Sequence, residues 1–150
     1  MSGSPSNSSL EHRENSSEEH DAESSTGMPE GIPALKTIAM PADTNPDGDI
    51  FGGWLMAQMD LASGTYASQQ VKGRVATVAV DAMSFHKPVN VGDEVSCYCR
   101  VVSIGRSSIS VDVETWVQRH HSNLKEKVTE GRFIFVALDG QGRPRQIERD

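Results

Sequence analysis

No stretch of this 150-residue sequence comes near the ~18 apolar residues that a membrane-spanning helix needs. A helical membrane protein is thereby excluded. The N-terminus lacks a basic start followed by an apolar run, so no signal peptide is predicted. Basic residues are outnumbered, 14 Lys and Arg against 21 Asp and Glu, and the formal net charge is −7. That balance argues against a nucleic-acid partner. Cysteine is scarce: Cys97 and Cys99 are the only two. They stand two apart in a strand-like segment, on one face and about 6.5–7 Å apart. A disulfide does not fit that spacing. Two half-buried thiols in a reducing compartment, the cytoplasm, are expected instead. With no other soft ligands near them, no metal site is expected, and no cofactor.

The charge is unevenly spread. Residues 1–30 carry seven acids against Arg13 alone, whereas the rest carries 14 acids and 13 bases. The same 30 residues are rich in Ser, Glu and Asn, and their large apolar residues are Met1, Leu10 and Met28. Such a composition cannot bury enough surface to offset ordering entropy. The expectation is a disordered acidic tail over 1–30 and one folded domain over 31–150, long enough to bury a core.

Residues 34–40 form a short strand candidate closed by Pro41. A polar loop over 42–49 leads into a helix candidate over 52–70. Leu55, Met59, Ala62 and Tyr66 recur there at helical spacing. Few charges interrupt the segment, so burial on most sides is expected. Lys72 and Gly73 end it. Beyond them the period becomes two. "RVATVAVDAMSFHKP", "EVSCYCRVVSI", "SSISVDVETWVQR" and "KVTEGRFIFVALD" read as four long strands. Short links between consecutive strands favour an antiparallel sheet. One apolar helix against one curved sheet is a two-layer α+β domain.

The loop "PADTNPDGDIFGGW" carries conflicting signals. Asp43, Asn45, Asp47 and Gly48 match the opening of a calcium loop. Its twelfth position is Trp54, which cannot coordinate, and a strand replaces the entering helix. Gly48 and Gly53 match half a phosphate loop, but Trp54 and Leu55 follow where Lys and Ser or Thr are required. The surviving reading is a glycine pair at a helix start. The free N–H groups of Gly52 and Gly53 could hold a phosphate or a developing oxyanion. Alternatively, the glycines only allow close packing. Asp60 is the second clue. It sits two turns into a mostly apolar helix, beside Met56, Ser63, Gly64 and Ala67, with no Lys or Arg three or four residues away. A carboxylate there either acts in catalysis or pairs across a subunit interface.

"LKTIAMPADTNPDGDIFGGWLMAQMD" followed by "GRVATVAVDAMSFHKPVNVGD" resembles the hotdog-fold acyl-CoA thioester hydrolases, in particular their small bacterial YciA-like branch. The resemblance covers about residues 34–145 and is free of gaps. It implies a sheet wrapped around a central helix and hydrolysis of acyl-CoA to free CoA and a carboxylic acid. It implies that Asn45 matches the family's loop asparagine, Gly52 and Gly53 its glycine pair, and Asp60 its helix aspartate. It further implies that Asp60 of one subunit meets the Asn45 loop of another, in a homodimer or a trimer of dimers.

Under that reading Asp60 activates water or attacks directly, Gly53 holds the carbonyl oxygen, and Asn45 orients the reactants. Thr77 is a further positioning candidate. Lys87, Arg106, Ser107, Ser108 and His86 are the candidates for holding CoA. Met56, Met59 and Tyr66 could line an acyl tunnel or fill the core. His120 and His121 read as surface residues. Two rivals remain: a non-catalytic acyl-CoA-binding hotdog protein, and a hotdog dehydratase. The dehydratase needs a histidine that the helix lacks.

Overall fold

The computed structural model describes residues 27–149. Its elements are β1 (Leu35–Ile38), α1 (Gly52–Val71), β2 (Val75–Phe85), β3 (Glu94–Ile104), β4 (Ser108–Gln118) and β5 (Lys125–Ala137). Every strand pair is antiparallel, and the order across the sheet is β1-β3-β4-β5-β2. The helix packs on this one sheet, giving the α+β hotdog architecture. Of the tail predicted over 1–30, residues 1–26 lie outside the described residues. Met28 and Pro29 are described and half-buried.

The helix begins without a side-chain cap at Phe51 and ends where Lys72 turns left-handed at φ 57°. The Lys72 and Gly73 N–H groups both donate to the Ser68 carbonyl, closing the last turn. Leu55, Met59, Ala62, Ser63, Ala67 and Val71 are its buried face. Met59, Ala62, Ala67 and Val71 meet Ile109, Val111, Val113, Phe133, Phe135 and Ala137 in the main core. Those sheet residues are every second position of β4 and β5, as a sheet with one covered face requires. A second cluster joins Leu55 to Ile50, Val89, Val95, Val117 and Val128.

Burial of the helix on most sides does not hold within one chain. Leu61 is 59% exposed and Met56 36%. The same is true of β2, whose 11 residues include no buried one although Val, Ala, Met and Phe dominate it. An apolar strip along α1 and β2 is left uncovered.

The strand order also departs from a simple meander. β2 and β3 are consecutive, yet β2 is an edge strand and β4 and β5 lie between them. The link over 86–93 must therefore cross three strand spacings, about 14 Å. Eight residues can span that distance. Polar bonds pin the crossing. Arg119 donates from one guanidinium nitrogen to the Pro88 carbonyl at 2.8 Å and to Asp93 at 2.7 Å. Asp93 is buried and also accepts from the Asn90 and His120 N–H groups at 2.9 and 3.0 Å. The Arg119 Nε donates to Glu126 at 2.8 Å. Val89, between these bonds, plugs the second core cluster.

Both cysteines are free, Cys97 buried and Cys99 half-buried. Burial pushes the Cys97 thiol up to about 11, and the Thr115 hydroxyl beside it offsets this only in part. Burial, then the neighbouring Cys97, pushes Cys99 up to about 12. The folded thiols thus titrate above the unfolded value of about 8.5. Stability that rests on neutral thiols is fully present below about pH 8.5. It is lost as pH rises toward about 11 and 12. At pH 8 a thiol reagent should label neither cysteine quickly in the folded protein and both in urea. Fast labelling of the folded chain would contradict this account. Met59 is fully buried, so Met59→Ala should lower unfolding free energy by about 3 kcal/mol in a urea titration.

Candidate active site

Asp60 faces away from the core. It is half-buried at one end of a groove of about 530 Å³, lined by Asp60, Leu61, Gly64, Ser68, Thr77 and Phe135 among others. The groove solves the problem of a carboxylate in an apolar helix, because water reaches it. The Thr77 hydroxyl donates to the Asp60 Oδ1 at 2.7 Å. One carboxylate oxygen is thus held, and the other accepts no hydrogen bond among the described residues. Thr77 is aimed by the backbone of β2. It pairs with Phe135, while Ala79 pairs with the next residue of β5, Ile134. One extra residue, Val78, is therefore accommodated immediately after Thr77, and such bulges redirect side chains.

Gly52 and Gly53 form the first residues of α1. Their N–H groups donate to no group among the described residues. They are therefore available to an anionic oxygen, at the positive end of the helix dipole. Both alternatives raised by the sequence find support. A Cβ at Gly52 would lie 3.3 Å from the Phe85 ring, and one at Gly53 3.3 Å from the Phe51 ring. The glycines allow close packing and leave open N–H groups together.

Asn45 does not line the Asp60 groove within the chain. Its side-chain oxygen accepts from the Asp47 and Asp49 N–H groups, both at 3.0 Å. The Gly48 N–H donates to its carbonyl at 2.9 Å, and Gly48 takes φ +85°. The pattern that imitates a calcium loop is thus a self-bonded turn. The Asn45 amide N–H₂ donates to no group among the described residues.

The CoA candidates separate into two groups. His86 and Lys87 follow β2, and their backbone N–H groups donate to the Val128 carbonyl. Ser108 pairs with Val136 at the other end of β5. Eight residue steps, about 26 Å, separate them. Within one chain the two groups do not converge. Each member of the first group has an acidic neighbour that sequence spacing does not reveal. Lys87 donates to Glu126 at 2.6 Å, and His86 Nε2 lies 3.3 Å from Glu130. Hydrogen bonds from Lys87, then Arg119, hold the Glu126 carboxyl below its ordinary range. Glu130 is lowered chiefly by Lys127. Arg106 is exposed in the β3–β4 turn, Ser107 and Ser108 are half-buried, and the Arg106 carbonyl accepts from the Ile147 N–H.

Met59 and Tyr66 belong to the core or pack against it and do not line the groove. His120 and His121 are exposed, with ring centroids 3.7 Å apart. The sequence reading missed the rest of the groove: Phe135 as a wall, and Ser68, Gln69 and Arg74 at its far end. Helical spacing of 60, 64, 68 could have shown a line of small residues beside Asp60.

The architecture of one long helix on one antiparallel sheet is shared with known proteins. A thioesterase superfamily model matches residues 47–122. The chain belongs to that superfamily. The acyl-CoA thioester hydrolase YciA of Salmonella typhimurium is 50% identical over 122 residues, covering 79% of this chain and 92% of its own. The Escherichia coli enzyme of the same name is 48% identical over 123 residues, covering 80% and 93%. A hexameric broad-specificity acyl-coenzyme A thioesterase superposes with TM-score 0.77 at 47% identity, covering 82% of this chain and 85% of its own. The hexameric thioesterase of Yersinia pestis gives 0.78 at 48%, covering 82% and 100%. This chain is therefore a hotdog thioesterase of the YciA-like branch, an acyl-CoA thioester hydrolase.

Within this thioesterase the Thr77–Asp60 bond is the local prediction. Thr77→Val should lower kcat/KM by about tenfold, the scale of a hydrogen bond to a charged group. Thr77→Ser should restore most of it, and circular dichroism should be the same for all three proteins. Equal activity of Thr77→Val and the parent would remove Thr77 from the site.

Proposed function

We propose that this protein hydrolyses acyl-CoA with Asp60 as the reacting carboxylate and that each active site is built from two copies of the chain. Helix geometry supports the second part. Gly53 and Asp60 are seven residues apart, about 10 Å along the helix axis. One thioester needs its carbonyl oxygen and its attacked carbon touched together. The Gly53 N–H and Asp60 of a single chain are too far apart for that.

A second copy resolves the distance. β2 is bonded to β5 on one side and open on the other, with Val78 and Val80 exposed. Antiparallel pairing of two β2 strands would extend the sheet and close the open edge of β2. In that pairing the Phe85 end of one strand lies beside the Val75 end of the other. Gly52 packs on Phe85, and Thr77 near the opposite end holds Asp60. The helix start of one copy then faces Asp60 of the other, and the Asn45 loop comes with it. The two hexameric relatives are consistent with three such pairs.

In the reaction, Asp60 takes a proton from water as the water attacks the thioester carbon, or attacks itself to give a mixed anhydride. Charge on the carbonyl oxygen is met by the Gly53 N–H of the second copy. CoA leaves as its thiol, taking the proton that Asp60 holds in the first route; in the second, water then splits the anhydride, which releases the carboxylic acid, frees Asp60 and supplies the thiol's proton. Asn45 orients water or carbonyl through its free amide. Lys87 and His86 from one copy, with Arg106, Ser107 and Ser108, hold the CoA phosphates. Lys87 must share its charge with Glu126 to do so. The two free thiols support a cytoplasmic location.

The observation that carries this reading is the half-buried Asp60, held through one oxygen and open through the other. The test is release of CoA thiol from an acyl-CoA series by the parent and Asp60→Asn. A loss of roughly 10²-fold or more with CoA affinity intact is expected. An Asp60→Asn protein of near-parental kcat would overturn it. CoA binding with no turnover by the parent would favour a binding protein.

A further inference from the structure

We infer that the groove beyond Asp60 takes the acyl group and that Arg74 selects acyl chains ending in a carboxylate. The inference rests on Asp60 as the reacting group. From Asp60 the groove runs beside the helix toward its C-terminus. Its first stretch is mostly apolar or small, with Leu61, Gly64, Val75 and Phe135, and one hydroxyl, Thr65. Gly64 keeps this stretch open, because a Cβ there would already touch the Phe135 ring at 3.5 Å. Its far end is polar: Ser68, Gln69 and Arg74. Asp60 and Ser68 are eight residues apart, about 12 Å along the axis.

The order of these surfaces matches one class of ligand. An acyl chain with a terminal carboxylate is apolar along its length and anionic at its end. A plain alkyl chain fits the first part but meets a guanidinium at the end. Arg74 is exposed, and its guanidinium makes no hydrogen bond or ion pair within the described residues. It acts on Asp139 only through space. Its fork of donors is therefore free to hold a carboxylate in the two-point geometry that arginine favours. Ser68 is committed, since its hydroxyl donates to the Gly73 carbonyl at 2.6 Å. Gln69 has no such commitment and can add a donor.

The test compares adipoyl-CoA with hexanoyl-CoA, which have the same number of carbons and differ by the terminal carboxylate. The quantity read is the ratio of their kcat/KM values, in the parent, Arg74→Ala, Arg74→Glu and Arg74→Lys. The ratio should fall about tenfold in Arg74→Ala and further in Arg74→Glu, with partial recovery in Arg74→Lys. The change should appear mainly in KM for adipoyl-CoA. An unchanged ratio in Arg74→Glu would overturn the inference. A parallel loss for both substrates together with weaker binding of free CoA would also overturn it, assigning Arg74 to a CoA phosphate. Asp60→Asn separates this from the parent reading. If that variant remains active, the catalytic assignment fails whatever Arg74 does.

Discussion

The open edge of β2 is the constraint on which the rest of the structure turns. An 11-residue strand of mostly apolar side chains has its backbone paired on one side only and buries none of its residues. Two bulges, after Thr77 and around Ala82 at φ 51°, twist it. Natural proteins rarely leave such an edge bare, because it templates association. Under the proposed function, association is a requirement of the chemistry. The same strand carries Thr77, the residue that holds Asp60, and packs Phe85 against the helix start. The proposed reacting carboxylate and the helix start are therefore both tied to the one strand that a second copy would pair with.

This explains why the single chain looks incomplete as an enzyme. Its carboxylate is positioned, its helix start is uncapped, and its loop asparagine is pre-set by backbone bonds. None of these meets another within the chain. The fold supplies rigidity instead. Arg119 and buried Asp93 pin the crossover from β2 to β3, and Glu126 joins that network to Lys87. A residue proposed to hold CoA is thus anchored, through three ion pairs, to Asp93, the buried charge among the described residues. Removing one partner of such a pair is far more costly than the pair is stabilising. The crossover is consequently a stable platform rather than a free loop.

Much of this was legible in the sequence, for identifiable reasons. The helix and four long strands announce themselves by period, with Leu55 and Met59 at helical spacing and Ile109, Val111 and Val113 alternating. Asp60 stood out because a carboxylate in an apolar helix needs an explanation. What the sequence hid was long-range. The placing of β2 beside β5 rather than β3 depends on a crossover whose anchors, Asp93 and Arg119, are 26 residues apart. The exposure of Leu61 and Val78 is invisible to periodicity, which records apolar faces without saying what covers them. Arg74 reads in the sequence only as the first residue of a strand, and the groove gave it a further place. The Lys87–Glu126 and His86–Glu130 neighbours likewise depend on how the crossover lies against the start of β5.

The central claim is that one active site needs two chains, and mixing subunits tests it most directly. Asp60→Asn and Asn45→Ala chains, each inactive alone, are unfolded together and refolded as mixed oligomers. The account predicts recovered thioester hydrolysis, because one site in each mixed pair carries both parent residues. Mixed oligomers that form, verified by two distinguishable tags, and stay inactive would contradict it.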